Sequence, residues 1–265
     1  MRYSIITINY NNKEGLKHTI QSVINQTSKD FEYIIIDGGS TDGSVDIIKE
    51  HANRINYWVS EKDNGIYHAM NKGVVKAQGD FCIFMNSGDT FCSNHVLENI
   101  TAIKRNEDII VGQVTTDNKT IISPPPIGRF TMYHLYSGAI PHQGAFIRTA
   151  LLKENPYDEN LKISADWKFF VKVLILKNCS IFYTNEYIAQ FDTSGISSNN
   201  SQLMRKEKED YLKEIIPPRV LEDYKKMKES ECLTQSLTPF LRKHYKIDYI
   251  IYILGKTLLA MKRWI

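Results

Sequence analysis

Cysteine is scarce in this chain, with four in 265 residues (Cys82, Cys92, Cys179 and Cys232) and no C-x-x-C pair among them. That spacing excludes a disulfide framework and a structural zinc site. Charge of one sign is also in short supply. Lys and Arg number 33 against 30 Asp and Glu, a net +3, too weak a field to call for nucleic acid as a partner. No G-x-G-x-x-G opens a helix after a strand and no G-x-x-x-x-G-K-[ST] occurs, so neither a dinucleotide fingerprint nor a phosphate loop is present. The chain starts almost at once on an apolar strand pattern, Ser4-Ile5-Ile6-Thr7-Ile8, after a single Arg2. That beginning resembles neither a secretory leader nor a spanning helix, so a cytoplasmic, reducing location is expected and the N-x-S/T triplets are not read as glycosylation sites.

What the chain does have is enough apolar residues for a substantial core, 42% against 24% charged. They are arranged as strands alternating with helices. Strands are expected at 3–8, 31–36, 57–60 and 81–85, with helices at 14–25, 44–52 and 66–76 between them. This β-α-β rhythm predicts an α/β domain with a doubly wound, mostly parallel sheet. After residue 111 the pattern becomes mixed. A hairpin is expected at 112–122, a rigid Pro124-Pro125-Pro126 connector, a strand at 145–148, a helix at 166–177, and two short strands near 180–183 and 187–191. A charged helical stretch follows at 201–230, broken at Pro217-Pro218. The expected organisation is a catalytic domain over 1–200 (donor half 1–111, acceptor half 112–200) and a helical region over 201–265.

The most telling segment is Tyr33-Ile34-Ile35-Ile36-Asp37-Gly38-Gly39-Ser40-Thr41-Asp42-Gly43, an apolar run ending in an aspartate and glycines. By itself it is equally consistent with an ordinary capped turn. Two further strands end in similar turns, Asn9 to Asn12 and Asn86 to Asp89. In a parallel sheet all three lie at the carboxyl edge, where open α/β sheets bind ligands. There Tyr10 offers an aromatic face to a base, Asp37 an acceptor for its N–H groups, and Asp89 a hard oxygen ligand. Such an oxygen suits Mn2+ or Mg2+ beside a phosphate.

Taken together, Ser4 to Asn11, Ser22 to Thr27, Asp37 to Gly43, Asn64-Gly65 with Asn71-Lys72-Gly73, and Phe84 to Asp89 resemble the family 2 inverting glycosyltransferases of GT-A fold. The resemblance spans about residues 3–200 and is nearest the colanic-acid-type branch that builds bacterial surface polysaccharides. It implies a donor pocket formed by Tyr10, Asp37, Asp63, Asn71, Lys72, Asn86 and Ser87. Asn86-Ser87-Gly88-Asp89 falls on the family's D-x-D metal motif, where only Asp89 keeps a carboxylate. Gly38 similarly replaces the second aspartate of the common Asp-Asp-Gly-Ser form. Asp166 matches the second position of the family's Glu-Asp motif and would be the general base, although an ordinary helix cap is the alternative for that residue alone. His142, Gln143 and Trp167 are assigned to the acceptor side, and Gln190 to Ser198 resembles a loop that closes over the diphosphate.

The last 19 residues carry their own pattern. On a helical wheel, Asp248, Lys256, Lys262 and Arg263 share one sector and the remainder is largely apolar. A cationic amphipathic helix over 247–265 lying on a membrane surface is expected, with packing on the domain or a second subunit as the alternative. The implied function is inverting, metal-assisted transfer of a sugar from a nucleotide-diphosphate donor, UDP-linked, to a glycan or lipid-linked glycan, at the inner face of the plasma membrane. A sugar-nucleotide nucleotidyltransferase would need a glycine-rich, Arg-bearing loop after the first strand, where Asn9-Tyr10-Asn11-Asn12-Lys13 stands instead. A degenerate, nucleotide-binding scaffold remains the other alternative, motivated by Asn86 and Gly88.

Overall fold

The computed structural model describes residues 2–116, 130–193 and 200–243, with side chains as far as residue 234. The expected tail helix at 247–265, the Pro124-Pro125-Pro126 connector and most of the loop ending at Ser198 lie outside the described residues. Eight strands form one sheet: β1 (Tyr3–Asn9), β2 (Phe31–Asp37), β3 (Tyr57–Ser60), β4 (Phe81–Phe84), β5 (Thr90–Phe91), β6 (Ile109–Thr116), β7 (Ala145–Arg148) and β8 (Ile181–Phe191). Their order is β3-β2-β1-β4-β7-β6-β8-β5. The first four strands in that order are mutually parallel, β7 is antiparallel to both β4 and β6, and β8 is parallel to β6. This is the expected GT-A-like α/β architecture, with a parallel half and a mixed region beside it.

Alternation along the strands explains the layers. Tyr3, Ile5, Tyr33 and Ile35 point to one face, where they are buried with Leu16, Ile20 and Val23 of α1 (Lys13–Ile24) and Ile47 and Ile48 of α2 (Ser44–Glu50). The opposite face receives α3 (Ile66–Lys76). Gly73 makes that approach possible, because a Cβ there would run into Ile6 Cγ2. Strands buried on both faces read as continuous apolar runs, which is why β2 is so plain in the sequence.

Two expectations need correction, and a third is described only in part. The hairpin expected at 112–122 is described only as far as residue 116, where Gly112 lies inside β6, and its remainder lies outside the described residues. Gly112 is there because a Cβ would strike Ile188 of β8, a close strand approach rather than a turn. The two short strands near 180–183 and 187–191 are one strand, β8, whose register against β6 shifts around Gln113. The helix expected over 166–177 is α7 (Ala165–Phe170), followed by a π-helical stretch, Val171–Leu176. Short helices α4 (Val96–Ala102), α5 (Met132–Ser137) and α6 (Thr149–Glu154) complete the domain.

The chain divides into two compact units, 1–211 and 212–265. Helix α8 (Ser201–Ile215) crosses that boundary, and α9 (Pro218–Lys243) begins at the Pro217-Pro218 break, where a proline suits the first helical turn. Among the described residues no helix is long and apolar enough to cross a membrane.

Candidate active site

Register places Asn9, Asp37 and Ser60 side by side at the ends of three adjacent parallel strands. Their side chains bond accordingly. Asp37 Oδ1 accepts Asn9 Nδ2 at 2.7 Å and Ser40 Oγ at 2.6 Å, while Oδ2 accepts Ser60 Oγ at 2.6 Å and the Ser40 N–H at 2.9 Å. Burial would push this carboxyl up, but the hydroxyls of Ser40 and Ser60 and the Asn9 amide outweigh it and hold it below the ordinary range. Asp37 therefore differs from the open acceptor expected of it. It is 0% exposed and fully occupied as the organiser of the turn. A base N–H can reach it only by displacing a serine hydroxyl.

The open surface lies next to it. Tyr10 is 70% exposed. A Cβ on Gly38 would sit 3.2 Å from Tyr10 Cδ2 and 3.4 Å from Asp63 Oδ2, so only a glycine fits the narrow crevice between that aromatic ring and that carboxylate. Asp63 Oδ1 in turn accepts Lys72 Nζ at 2.7 Å and faces His68 Nδ1 at 3.1 Å, and Lys72 also reaches Glu61 at 2.7 Å. Asn71 stands apart from this crevice. Its amide is spent on the Tyr157 backbone, donating to the carbonyl at 2.9 Å and accepting the N–H at 2.9 Å. That corrects the donor-contact expectation for Asn71, which ties α3 to the segment preceding α7.

The third turn joins the same rim. Ser87 Oγ donates to Asn9 Oδ1 at 2.8 Å, and Asn12 Nδ2 donates to the Ser87 carbonyl at 3.0 Å. Asn86 Nδ2 lies 3.1 Å from His142 Nε2, and His142 Nδ1 lies 2.9 Å from Asp166 Oδ2. Tyr67 donates its hydroxyl to Asp166 Oδ1 at 3.0 Å, and the Trp167 N–H reaches the same oxygen at 2.9 Å. Side chains thus lead from Asp37 through Asn9 to Ser87, and from its neighbour Asn86 through His142 to Asp166. Asp166 is not the freely exposed carboxylate its helix position implies, since its side chain keeps 19% of its surface and that of His142 13%. Burial would raise the Asp166 carboxyl, yet the hydrogen bond and charge of His142, the Trp167 N–H and the Tyr67 hydroxyl hold it below the ordinary range. Trp167 belongs to the core, not to an acceptor surface, because it is buried and its indole N–H donates to the Leu135 carbonyl at 2.8 Å.

Asp89 also differs from expectation. It is 3% exposed, its Oδ1 accepts the Asp192 N–H at 2.9 Å, and burial pushes its carboxyl up to about 6 despite that N–H, the His142 charge and a Gln143 hydrogen bond. Gln143 is thereby a buried partner of Asp89 and not an acceptor contact. Gly88 has φ +105, and the volume a side chain would take there is filled by the Asp192 carboxylate. Sequence reasoning missed Asp192, although it lies in the segment 190–198 noted as a closing loop. Among the described residues no group of three or more His, Cys, Asp or Glu could hold a metal ion. Asp89, bonded to the Asp192 N–H, and the Asp192 carboxylate are too few to hold a divalent cation alone, so any such ion would need most of its shell from substrate phosphate.

With this geometry the family can be assigned. Residues 4–155 match the glycosyl transferase family 2 model. The chain belongs to that family. It is 30% identical over 211 residues to an uncharacterized glycosyltransferase of Mycobacterium tuberculosis, covering 74% of this chain and 77% of that one. A PGL/p-HBAD biosynthesis glycosyltransferase of Mycobacterium bovis is 29% identical over 205 residues, covering 74% and 79%. The cholesterol galactosyltransferase of Borreliella burgdorferi is 27% identical over 232 residues, covering 78% and 64%. Among solved structures, S. aureus TarS 1–349 in complex with UDP-GlcNAc superposes with a TM-score of 0.61 at 20% identity, covering 76% of this chain and 61% of that one. The mannosyltransferase PcManGT from Pyrobaculum calidifontis, in complex with GDP-Man and Mn2+, gives 0.55 at 16%, covering 72% and 56%. This chain spans less than two thirds of those solved chains, and the likeness is one of fold.

Proposed function

We propose that the protein is an inverting glycosyltransferase, moving a sugar from a nucleotide-diphosphate donor, UDP-linked, onto a hydroxyl of a lipid-carried bacterial surface glycan. The observation that carries this reading is the run of side chains from the Tyr10–Gly38–Asp63 crevice to Asp166. On this reading the exposed Tyr10 ring would receive a planar base at one end, and Asp166 is the protected carboxylate at the other. Tyr10 stacks the base while Asp63 and Lys72 line the crevice beside it. The acceptor oxygen attacks C1 from the face opposite the diphosphate, so the C1–O bond to the diphosphate breaks with its electron pair leaving on the phosphate. The acceptor proton is taken at the Asp166–His142 pair. A divalent ion, Mn2+ or Mg2+, carried by Asp192 and Asp89 together with the donor phosphates, would supply neutralisation of the leaving charge. The donors bound by the structural neighbours, UDP-GlcNAc and GDP-Man, support the donor class, and the related cholesterol galactosyltransferase supports a lipid acceptor.

The second reading, a nucleotide-binding scaffold without turnover, is favoured by Asn86 and Gly88 standing in place of carboxylates. A thermal-shift panel of nucleotide sugars with and without Mn2+, followed by measurement of sugar release from those that bind, separates the two. Stabilisation by a UDP-sugar with slow release is expected. Binding without any release or transfer favours the scaffold, and no binding by any nucleotide sugar overturns both.

A further inference from the structure

Helix α1 carries a polar seam beside its apolar contact with the sheet. Asn12, Thr19, Ser22 and Gln26 follow one another at helical spacing, so they line one side of the helix and its exit. Each meets the backbone of the segment that runs from β4 through β5 into α4. Asn12 Nδ2 donates to the Ser87 carbonyl at 3.0 Å, and Ser22 Oγ accepts the Phe91 N–H at 3.4 Å. Gln26 Nε2 donates to the Ser93 carbonyl at 2.7 Å, while its Oε1 accepts the Leu97 N–H at 3.2 Å. Thr19, fully buried, lies within this seam. Its hydroxyl accepts the Gly88 N–H at 3.0 Å and donates to the Asp89 carbonyl at 2.7 Å. The carbonyls of Gly15 at 3.0 Å and Asn86 at 3.2 Å lie within reach of the same proton. One hydroxyl thus spans the turn that the Asp89 N–H closes on the Asn86 carbonyl at 2.9 Å.

That turn stands between the two sides of the site. Asn86 faces His142 and through it Asp166, Ser87 bonds Asn9 on the donor side, and Asp89 holds the Asp192 N–H. An apolar contact can slide a little at small cost. A buried polar seam cannot, because any slip leaves donors and acceptors unpaired away from water. We infer that Thr19 is a positioning residue for the transfer reaction, its hydroxyl fixing the Asn86–Asp89 turn between the donor crevice and Asp166. This rests on the proposed glycosyl transfer and names the contact that sets the spacing of its two sides. Thr19 acts through the turn and not on the substrate. Ser22 and Gln26 belong to the Ser22–Thr27 stretch of the family resemblance, and the seam gives that stretch its use.

The test uses the full chain and a UDP-sugar that the wild type turns over. Thr19→Val keeps the branched shape of the side chain and removes the hydroxyl. It should lower kcat by about 10²-fold, the scale of a misplaced reacting group, while UMP, held at the Tyr10 crevice, binds as to wild type by calorimetry. Thr19→Ser keeps the hydroxyl and should retain most of the rate. Full kcat in Thr19→Val, a Thr19→Ser protein as slow as Thr19→Val, or equal losses of kcat and UMP affinity would each overturn the inference and leave the transfer reaction standing. A wild type that turns over no nucleotide sugar removes the parent reading instead. Amide exchange of the wild type, read by NMR, tests the seam without any substitution or turnover. The Gly88 N–H should be protected as strongly as the interior of α1, and rapid exchange there contradicts the seam.

Discussion

Tyr67 and Asp166 lie 99 residues apart in sequence, yet the phenol donates to the carboxylate at 3.0 Å where α3 and α7 meet. Burial and the neighbouring Asp166 charge both push the Tyr67 phenol up, so it stays a hydrogen-bond donor at every physiological pH. Tyr67→Phe removes this donor and keeps the ring. A hydrogen bond to a charged group contributes about 1.5–3 kcal/mol. Denaturant unfolding at pH 7.5 should show a loss of that order, together with a lower transfer rate. Unchanged stability and rate would mean the phenol does not hold Asp166.

Gly38→Asp restores the second aspartate of the common family form. Its Cβ would stand 3.2 Å from Tyr10 Cδ2 and 3.4 Å from Asp63 Oδ2, placing a carboxylate in the crevice opposite another. Calorimetry should record donor binding weakened by about tenfold or more, roughly 1.4 kcal/mol. Equal or tighter binding would show that the base lies elsewhere.

Asp89 titrates in the opposite sense from Asp37 and Asp166. Its folded carboxyl is raised to about 6, so the folded state binds the extra proton, and the stability this provides is lost as pH rises through that value. At full ionisation the cost is about 3 kcal/mol. Asp89→Asn, which still accepts the Asp192 N–H, should therefore raise the melting temperature more at pH 7.5 than at pH 5. Asp37 and Asp166 are depressed, and their stabilisation is present at neutral pH and lost as pH falls below the ordinary carboxylate range. A melting temperature for Asp89→Asn that does not rise at pH 7.5 would contradict this sign.

Glu207 on α8 receives the backbone N–H groups of Lys162, Ile163 and Ser164 at 2.8, 3.2 and 3.0 Å, immediately before α7. Glu207→Ala leaves those donors without a charged acceptor and loosens the turn that presents Asp166. A stability loss of about 1–3 kcal/mol, with kcat falling while donor affinity is retained, is expected from paired unfolding and kinetic measurements. An unchanged kcat would confine Glu207 to a purely local role.

Much of the parallel half was legible because its strands are buried on both faces and its turns carry Gly, Asn, Ser and Asp. The strand at 57–60 and the helix at 66–76 have the residue limits expected for them. Gly112 could not be interpreted locally, because a glycine demanded by strand approach looks the same in sequence as one demanded by a turn. Within the site, residue types were readable and their duties were not. Asn71, Gln143 and Trp167 each looked like open contacts, yet each spends its polar atoms on partners far away in sequence. Asp192 was overlooked for the converse reason, since nothing near it in sequence points to the empty side-chain volume at Gly88. Periodicity and turn chemistry are local properties, whereas the occupancy of a side chain is set by whichever strand or helix arrives opposite it.

The most direct test of the proposed reaction is the single-turnover rate of sugar transfer by Asp166→Asn at saturating UDP-sugar. The amide keeps the size of the side chain but not its charge. With donor binding retained, a fall of about 10²–10⁴ relative to wild type is expected. Transfer at the full wild-type rate would contradict the assignment of Asp166 and His142 as the centre that removes the acceptor proton.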